Sequence, residues 1–287
     1  MIAVTPDILP GISDQVYGDR DFRAVRDLVH ADAGIVLPAG KAMLVYSRLA
    51  PLVRRTNSAT FARYIELLEA DAVERRRAVA ALTTNHTFFF REHHHFDHLR
   101  DVVRPRLLQR LERGERVRIW SAGCSSGEEC WSIAATLLGN DRAAGKRLAS
   151  YDLAILATDL ADHALRTAGD AIYPLDAVSG IPDHYRLLWF AETDGGLRAG
   201  DELRSLVRFR CLNLQHDWPF RGSFDAIFCR NVMIYFDQPT NERLMARLTD
   251  RLTTDGTLFI GHSERASGKA ARQLAQVGPT IFQRRSS

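Results

Sequence analysis

Residues 123–129, Gly-Cys-Ser-Ser-Gly-Glu-Glu, put small side chains, hydroxyls and two adjacent carboxylates into one short turn. Small residues let a ligand approach the backbone closely, and acids are comfortable at the start of a helix. Two neighbouring carboxylates would repel a phosphate, which argues against a dinucleotide or a nucleoside triphosphate. They suit a ligand that presents cations and hydroxyls, and S-adenosylmethionine, with its ammonium, sulfonium and ribose, has that character. The same letters also spell G-x-S-x-G, the nucleophile elbow of serine hydrolases, with Ser125 as the nucleophile. Asp225 and His262 follow in the order such a triad needs. Against the hydrolase, no H-G-G-G-type segment is present, and Glu128 and Glu129 would set negative charge near a developing oxyanion.

Three further groups of residues could carry chemistry. Asp159 ends an apolar run at residues 151–157; an acid at the tip of the second strand of a nucleotide-binding half accepts hydrogen bonds from ribose hydroxyls. The plainer role for Asp159 is to cap a helix over 161–167. In ALTTNHTFFFRE (81–92) a core role accounts for Phe88, Phe89 and Phe90, but not for Asn85, Thr87 and Arg91. An arginine there could pair with a substrate or cofactor carboxylate. His94 and His98 share the i, i+4 spacing of a helical metal pair, yet the run Glu92-His93-His94-His95 is not H-E-x-x-H. With no third ligand in the spacing, no metal is expected.

The elements that must position these residues follow from periodicity. A short apolar run at 117–120 leads into the turn, and Cys130, Ile133, Ala134, Leu137 and Leu138 then recur at the spacing of one buried helix face. Strand, glycine-bearing turn and helix build a ligand crevice at the carboxyl end of an open α/β sheet. Further strands are expected at 223–230, 257–261 and 279–283, alternating with helices, which implies a mostly parallel sheet. Residues 171–213 break that rhythm with Pro174, Pro182 and a hairpin signal at Asp194-Gly195, and predict a small β-rich insertion. Residues 1–17 are turn-rich. From 19 to 70 the pattern is helical, with breaks near 34–40 and 56–58, a cap at Ser58 or Thr60, and Pro51 expected to end or kink the middle helix.

The chain has 287 residues, 46% hydrophobic and 25% charged, with a net charge of +3. That is ordinary globular composition, and too mildly basic to indicate nucleic-acid binding by itself. Four cysteines without a C-x-x-C pair, no signal-like start and no long apolar run lead to the expectation of a reduced, cytoplasmic protein with no membrane insertion. Between residues 33 and 65, Lys41, Arg48, Arg54, Arg55 and Arg63 stand without a single acid. They form either a solvated face or a docking surface for an acidic partner.

LTTNHTFFFRE, WSAGCSSGEECWSIA, ATDL, FDAIFCRNVMIYFD and LFIGHSE, in that order, resemble the CheR family, the chemotaxis receptor glutamate methyltransferases. AGIVLPAGKAMLVYSRL in the helical part is similar to the same family, so the resemblance runs from about residue 28 to 264. It implies an α/β fold: a class I, Rossmann-like methyltransferase domain with an inserted small antiparallel β-subdomain and an N-terminal all-α domain. The expected division is 1–90 for the helical, receptor-docking domain and 91–287 for the methyltransferase domain, with the insertion at about 171–213.

The implied activity is transfer of a methyl group from S-adenosyl-L-methionine to glutamate side chains on cytoplasmic helices of chemotaxis receptors, leaving S-adenosyl-L-homocysteine. Carried over position by position, Asn85, Thr87 and Arg91 would line the cofactor's reactive end. Glu128 or Glu129 would hold its amino group and Asp159 its ribose. Asn213, Leu214, Cys229 and Arg230 would complete the pocket, and Tyr235 would stand by the transferring methyl, with Arg91 as its catalytic companion. Two features depart from the family pattern: Pro51 in the basic helix, and a short hairpin at 194–200. The short hairpin predicts no tight tether to a receptor's C-terminal peptide. A nucleic-acid methyltransferase would draw on the basic stripe, but no N-P-P-Y-type motif accompanies it.

Overall fold

A computed structural model describes Ser13 and residues 15–285; of the turn-rich 1–17 segment, residues 1–12 and 14 lie outside the described residues. The chain forms two units, Met1–Thr84 with Tyr235–Asp237, and Asn85–Ile234 with Gln238–Ser287. The first therefore ends at Thr84 rather than at residue 90, and takes in a short later segment.

The helical unit holds α1 (Asp19–Ala33), α2 (Ala42–Arg55), α3 (Phe61–Ala70) and α4 (Ala72–Leu82). Gly34, at φ 71°, ends α1 in the left-handed conformation that favours glycine. Thr60 Oγ1 caps α3 by accepting from Arg63 N, and Asp71 caps α4 by accepting from the Val73 and Glu74 amides. Phe22, Val25, Leu49, Phe61, Tyr64 and Leu68 bury their side chains among these helices. Pro51 does not end α2, which runs on to Arg55. Val45 and Leu49 before the proline and Val53 after it are all buried, so packing on both sides holds the helix across the missing hydrogen bond.

The basic stripe is largely committed inside this unit. Arg48 donates to the carbonyls of Ala81 and Thr83, Arg63 pairs with Glu66, and Arg55 lies 2.6 Å from buried Glu74, which also accepts from Tyr64 OH at 2.8 Å. Lys41 and Arg54 remain exposed.

The second unit opens with α5 (His93–His98), a π-helical turn at Leu99–Val103 and α6 (Arg104–Glu112). Then follow β1 (Val117–Ala122), α7 (Glu128–Leu138), α8 (Arg142–Ala149), β2 (Leu153–Asp159) and α9 (Asp162–Asp170). A three-stranded antiparallel sheet comes next, from β3 (Ile172–Tyr173), α10 (Asp183–Trp189), β4 (Phe190–Thr193) and β5 (Gly196–Ala199), in the order β3-β5-β4. The chain returns through α11 (Asp201–Leu206) to β6 (Val207–Cys211) and β7 (Phe224–Cys229), then α12 (Gln238–Asp250), β8 (Leu252–Ile260), β9 (Leu274–Gly278) and β10 (Ile281–Arg284).

The main sheet has seven strands in the order β6-β2-β1-β7-β8-β10-β9. β6, β2, β1, β7 and β8 are mutually parallel, while β10 runs antiparallel to both β8 and β9. β7 is buried at every position and β1 at all but Arg118, the near-continuous burial of strands covered on both faces. Strand order reverses between β1 and β7, and ligands of such sheets bind outside the carboxyl ends of the strands at that point.

The insertion is smaller than 171–213. Its sheet ends at Ala199, and residues 207–211 form an edge strand of the main sheet, paired in register with β2 from Ile155 to Asp159. Arg208 and Arg210, alternating with Val207 and Phe209, made this edge strand resemble part of the insertion.

Candidate active site

The turn after β1 is tied down by its neighbours. The amides of Gly123 and Cys124 both donate to Thr158 O, at 2.8 and 2.9 Å, and Ser125 N donates to Asp159 Oδ2 at 2.8 Å. Tyr173 OH donates to Ser126 O at 2.6 Å. A Cβ at Gly123 would come within 2.4 Å of the Val232 side chain, and Gly123 and Gly127 have φ values of 86° and 98°, so a side chain at either is blocked by both space and backbone. Ser125, Phe90, Glu92 and Asn231 also hold left-handed φ values, between 51° and 59°. Strain of this kind, about 1–3 kcal/mol for each residue, persists where surroundings over-determine it, and it collects at functional sites.

Around this turn stand buried carboxylates. Glu129 accepts from Ser121 Oγ at 2.7 Å and from Arg230 Nη1 at 3.1 Å, so it lies between the carboxyl ends of β1 and β7. Glu128 takes Ser126 Oγ at 2.7 Å instead. Asp159, at the end of β2, accepts from the amides of Ser125 and Ala161 and lies 3.5 Å from Asn85 Nδ2. The expected capping of the following helix is not made: α9 starts at Asp162 with Ala161 as its N-cap and no side-chain cap, and Asp159 holds the Ala161 amide ahead of it. Burial pushes the carboxyl groups of Glu128, Glu129 and Asp159 above the usual carboxylate range.

Arg230 follows β7 and is itself buried. Its guanidinium pairs with Glu129 and with Glu92 (3.4 Å) and donates to Arg91 O. The segment carrying Asn85, Thr87 and Arg91 is thereby fastened to the sheet, with two further ties: Phe90 N donates to Ser132 Oγ on α7, and Ser125 Oγ donates to Asn85 O. Phe89 and Phe90 are core residues, whereas Phe88 is 46% exposed with the Arg91 guanidinium 5.6 Å from its ring centre. Asn213 and Leu214 come directly after β6, and Cys229 is the last, fully buried residue of β7. The structure thus gathers Asn85, Arg91, Glu128, Glu129, Asp159, Asn213, Leu214, Cys229 and Arg230 along the carboxyl ends of β6, β2, β1 and β7. Thr87 is half-buried within the same segment as Arg91. Tyr235 belongs to the helical unit, where its carbonyl accepts from Val36 N at 2.8 Å.

No hydrolase triad forms. Ser125 Oγ is engaged by Asn85 O, His262 Nδ1 faces Glu92 at 3.1 Å, and Asp225 pairs with Arg110 and the Arg118 amide at the opposite end of the sheet. Of the histidines weighed as ligands, His94 Nε2 meets Pro279 O at 3.1 Å, and among the described residues no cluster could hold a metal ion. Sequence reasoning missed Ser121 and gave no role to Glu92 or Glu264. Glu264 accepts from the amides of Asn231, Met233 and Gly261 and so braces the turn after Arg230. An acid following Gly-His-Ser at a strand end was the only available signal.

The residues present fit a cationic nucleoside ligand: three buried carboxylates stand around the turn, of which Glu129 pairs with Arg230, and a side chain-free turn leaves room for close approach. Residues 85–282 match the family CheR methyltransferase, SAM binding domain, and residues 20–83 match CheR methyltransferase, all-alpha domain. The chain belongs to the CheR methyltransferase family. The probable chemotaxis protein methyltransferase of Rhizobium etli is 44% identical over 261 residues, which cover 89% of this chain and 96% of that relative. Chemotaxis protein methyltransferase 2 of Pseudomonas aeruginosa is 40% identical over 97% of this chain and 98% of its own length. The chemotaxis protein methyltransferase of Escherichia coli is 37% identical over 92% and 90%. This CheR chain is accordingly a class I methyltransferase that depends on S-adenosylmethionine, with an all-α domain ahead of the cofactor domain.

The raised carboxyl groups set a pH dependence. A cationic ligand selects their ionised forms, so affinity for S-adenosylhomocysteine should decline on acidification while free carboxylates are still fully ionised. In the ligand-free protein the sign is opposite: the unfolded chain ionises first, so these groups lower stability as pH rises from the ordinary carboxylate value through the raised one. Calorimetric titrations across acidic pH check the first expectation; affinity unchanged until the ordinary carboxylate range would contradict it.

Proposed function

We propose that this chain esterifies glutamate side chains on the cytoplasmic helices of chemotaxis receptors. The observation that supports a carboxylate acceptor is Arg91. Its guanidinium donates to His86 O at 3.2 Å and, among the described residues, has no acidic partner within salt-bridge distance, although its backbone is bolted to the cofactor cleft through Arg230. An arginine so placed can orient a carboxylate without itself being neutralised.

The bound cofactor supplies an electrophilic methyl group on a sulfonium centre. A glutamate, with an ordinary pKa of about 4.3, is already ionised at neutral pH, so the chain needs no general base. What its residues do is hold and exclude. Glu129, at the switch point between β1 and β7, is the better placed of the two glutamates to take the amino group. Glu128 is turned toward Ser126 on the side of the β-subdomain. Asp159 takes the ribose hydroxyls, and Asn213, Leu214 and Cys229 line the remaining wall with Asn85 and Thr87. Arg91 aligns the acceptor carboxylate. Alignment matters more than tight capture, because full pairing with Arg91 would reduce the carboxylate's nucleophilicity.

The receptor helices would meet the all-α domain, where Lys41 and Arg54 are the cations of the stripe still open to an acidic partner. The hairpin of β4 and β5 turns over only Asp194 and Gly195, and its edge strand β4 spans only Phe190–Thr193, which supports the lack of a tight peptide tether. Among the described residues no helix is long and apolar enough to cross a membrane, and the proposed site of action is the cytoplasm.

Incubation with methyl-labelled cofactor and receptor-bearing membranes should yield base-labile label that maps to glutamates; base-stable label would overturn the ester. Arg91→Ala should lower kcat/KM by roughly a hundredfold, the scale set by lost alignment. A receptor C-terminal peptide titrated into the protein should give no micromolar heat signal, and a clear micromolar isotherm would contradict the missing tether.

A further inference from the structure

The loop between β6 and β7 has little regular structure, yet it carries Asn213 and Leu214. Asn213 Oδ1 makes a local turn by accepting from Gln215 N at 2.9 Å. Leu212 N donates to Asp159 O at one end of the loop and Arg251 Nη1 to Arg221 O near the other, and Arg247 on α12 anchors the stretch between them. Arg247 Nη1 donates to Leu214 O at 2.7 Å, Nη2 donates to His216 O, and the guanidinium lies 4.1 Å over the ring of Trp218. Trp218 packs edge-on against Trp120 at 4.8 Å, and Trp120 Nε1 donates to Thr158 Oγ1 at 2.9 Å. Thr158 is the residue whose carbonyl receives Gly123 and Cys124. One guanidinium thus grips the loop at two carbonyls and one ring, and the ring leads back to the strand that holds the glycine turn.

We propose that Arg247 is a positioning residue for cofactor binding: it sets the backbone of residues 213–216 in the conformation that closes on the nucleoside. The argument rests on the reading that Asn213 and Leu214 line the cofactor pocket. Arginine is the side chain for this task. It offers separated donors in a fixed plane together with a flat face for the indole, whereas lysine offers a single charged point and no face. Without it, Leu214 and His216 turn their carbonyls to water, and the loop must be ordered by the ligand at the moment of binding. That cost falls on affinity and not on the chemical step.

The test uses the full chain, S-adenosylhomocysteine calorimetry, steady-state kinetics and amide hydrogen exchange over residues 212–218. Arg247→Ala should weaken S-adenosylhomocysteine binding by about tenfold or more and raise the KM for the cofactor in step. Its kcat at saturation should stay within about threefold of the parent. Exchange over 214–218 should quicken in the free variant, and Arg247→Lys should recover only part of the affinity. Unchanged affinity, unchanged exchange, an equal fall in kcat, or full rescue by lysine would each overturn the positioning role. In the parent, cofactor addition should slow exchange at 213–216. If it does not, the reading that these residues line the pocket fails; if it does while Arg247→Ala binds normally, the positioning role alone fails.

Discussion

A buried guanidinium shared between two carboxylates is the interaction on which the cleft depends. Arg230 joins Glu129 on α7 to Glu92 beyond the phenylalanine segment, and the Nη2 that faces Glu92 also donates to the Arg91 carbonyl. A charge taken out of water costs several kcal/mol unless it is paired and hydrogen-bonded, so removing any one partner strands the others. The pairing leaves the count uneven. Among the described residues Glu128 and Asp159 have no salt-bridge partner, and Glu129 shares Arg230 with Glu92. The cleft is therefore built with negative charge in excess, which a positively charged ligand can answer and a phosphate cannot.

Backbone geometry cooperates with that charge. Hydrogen bonds link the glycine turn to Asp159 and to the segment at 85–92, the turn and the segment both hold left-handed residues, and Glu264 braces the turn after Arg230, where Asn231 is left-handed too. Strands β2, β1 and β7 deliver Asp159, the glycine turn and Arg230 at their carboxyl ends. The helical unit is stabilised by an analogous device, Glu74 buried against Arg55 and Tyr64, and it spends on its own stability cations that from the outside look available.

Much of this was legible from residue types. The run 117–138 fixed a strand, a turn and a helix, and the acid at 159 fell at the strand tip where ribose recognition needs it. What escaped reading did so for physical reasons. β6 is an edge strand with arginines on its open side, so its alternation resembled part of the insertion; β9, with Gln276 and Gly278, carried too little apolar weight to register. Pro51 did not end α2, because the buried Val45, Leu49 and Val53 hold the helix on both sides of it. The charge stripe at 33–65 could not reveal that its counter-charges lie on other segments, because Glu74 and the carbonyls of Ala81 and Thr83 become neighbours only on folding. That Ser121 and Arg230 reach Glu129 while Ser126 takes Glu128 was likewise set only on folding.

The central claim is that Glu129, poised by Arg230, reads the positive amino group of the cofactor. A calorimetric cycle addresses it directly, with S-adenosylhomocysteine and its deaminated analogue titrated into the parent and into Glu129→Gln. The account predicts that the parent loses roughly ten- to a hundredfold in affinity for the deaminated analogue, the scale of a charge-assisted hydrogen bond, and that the variant binds both compounds nearly alike. Discrimination of the same size in the variant would contradict it.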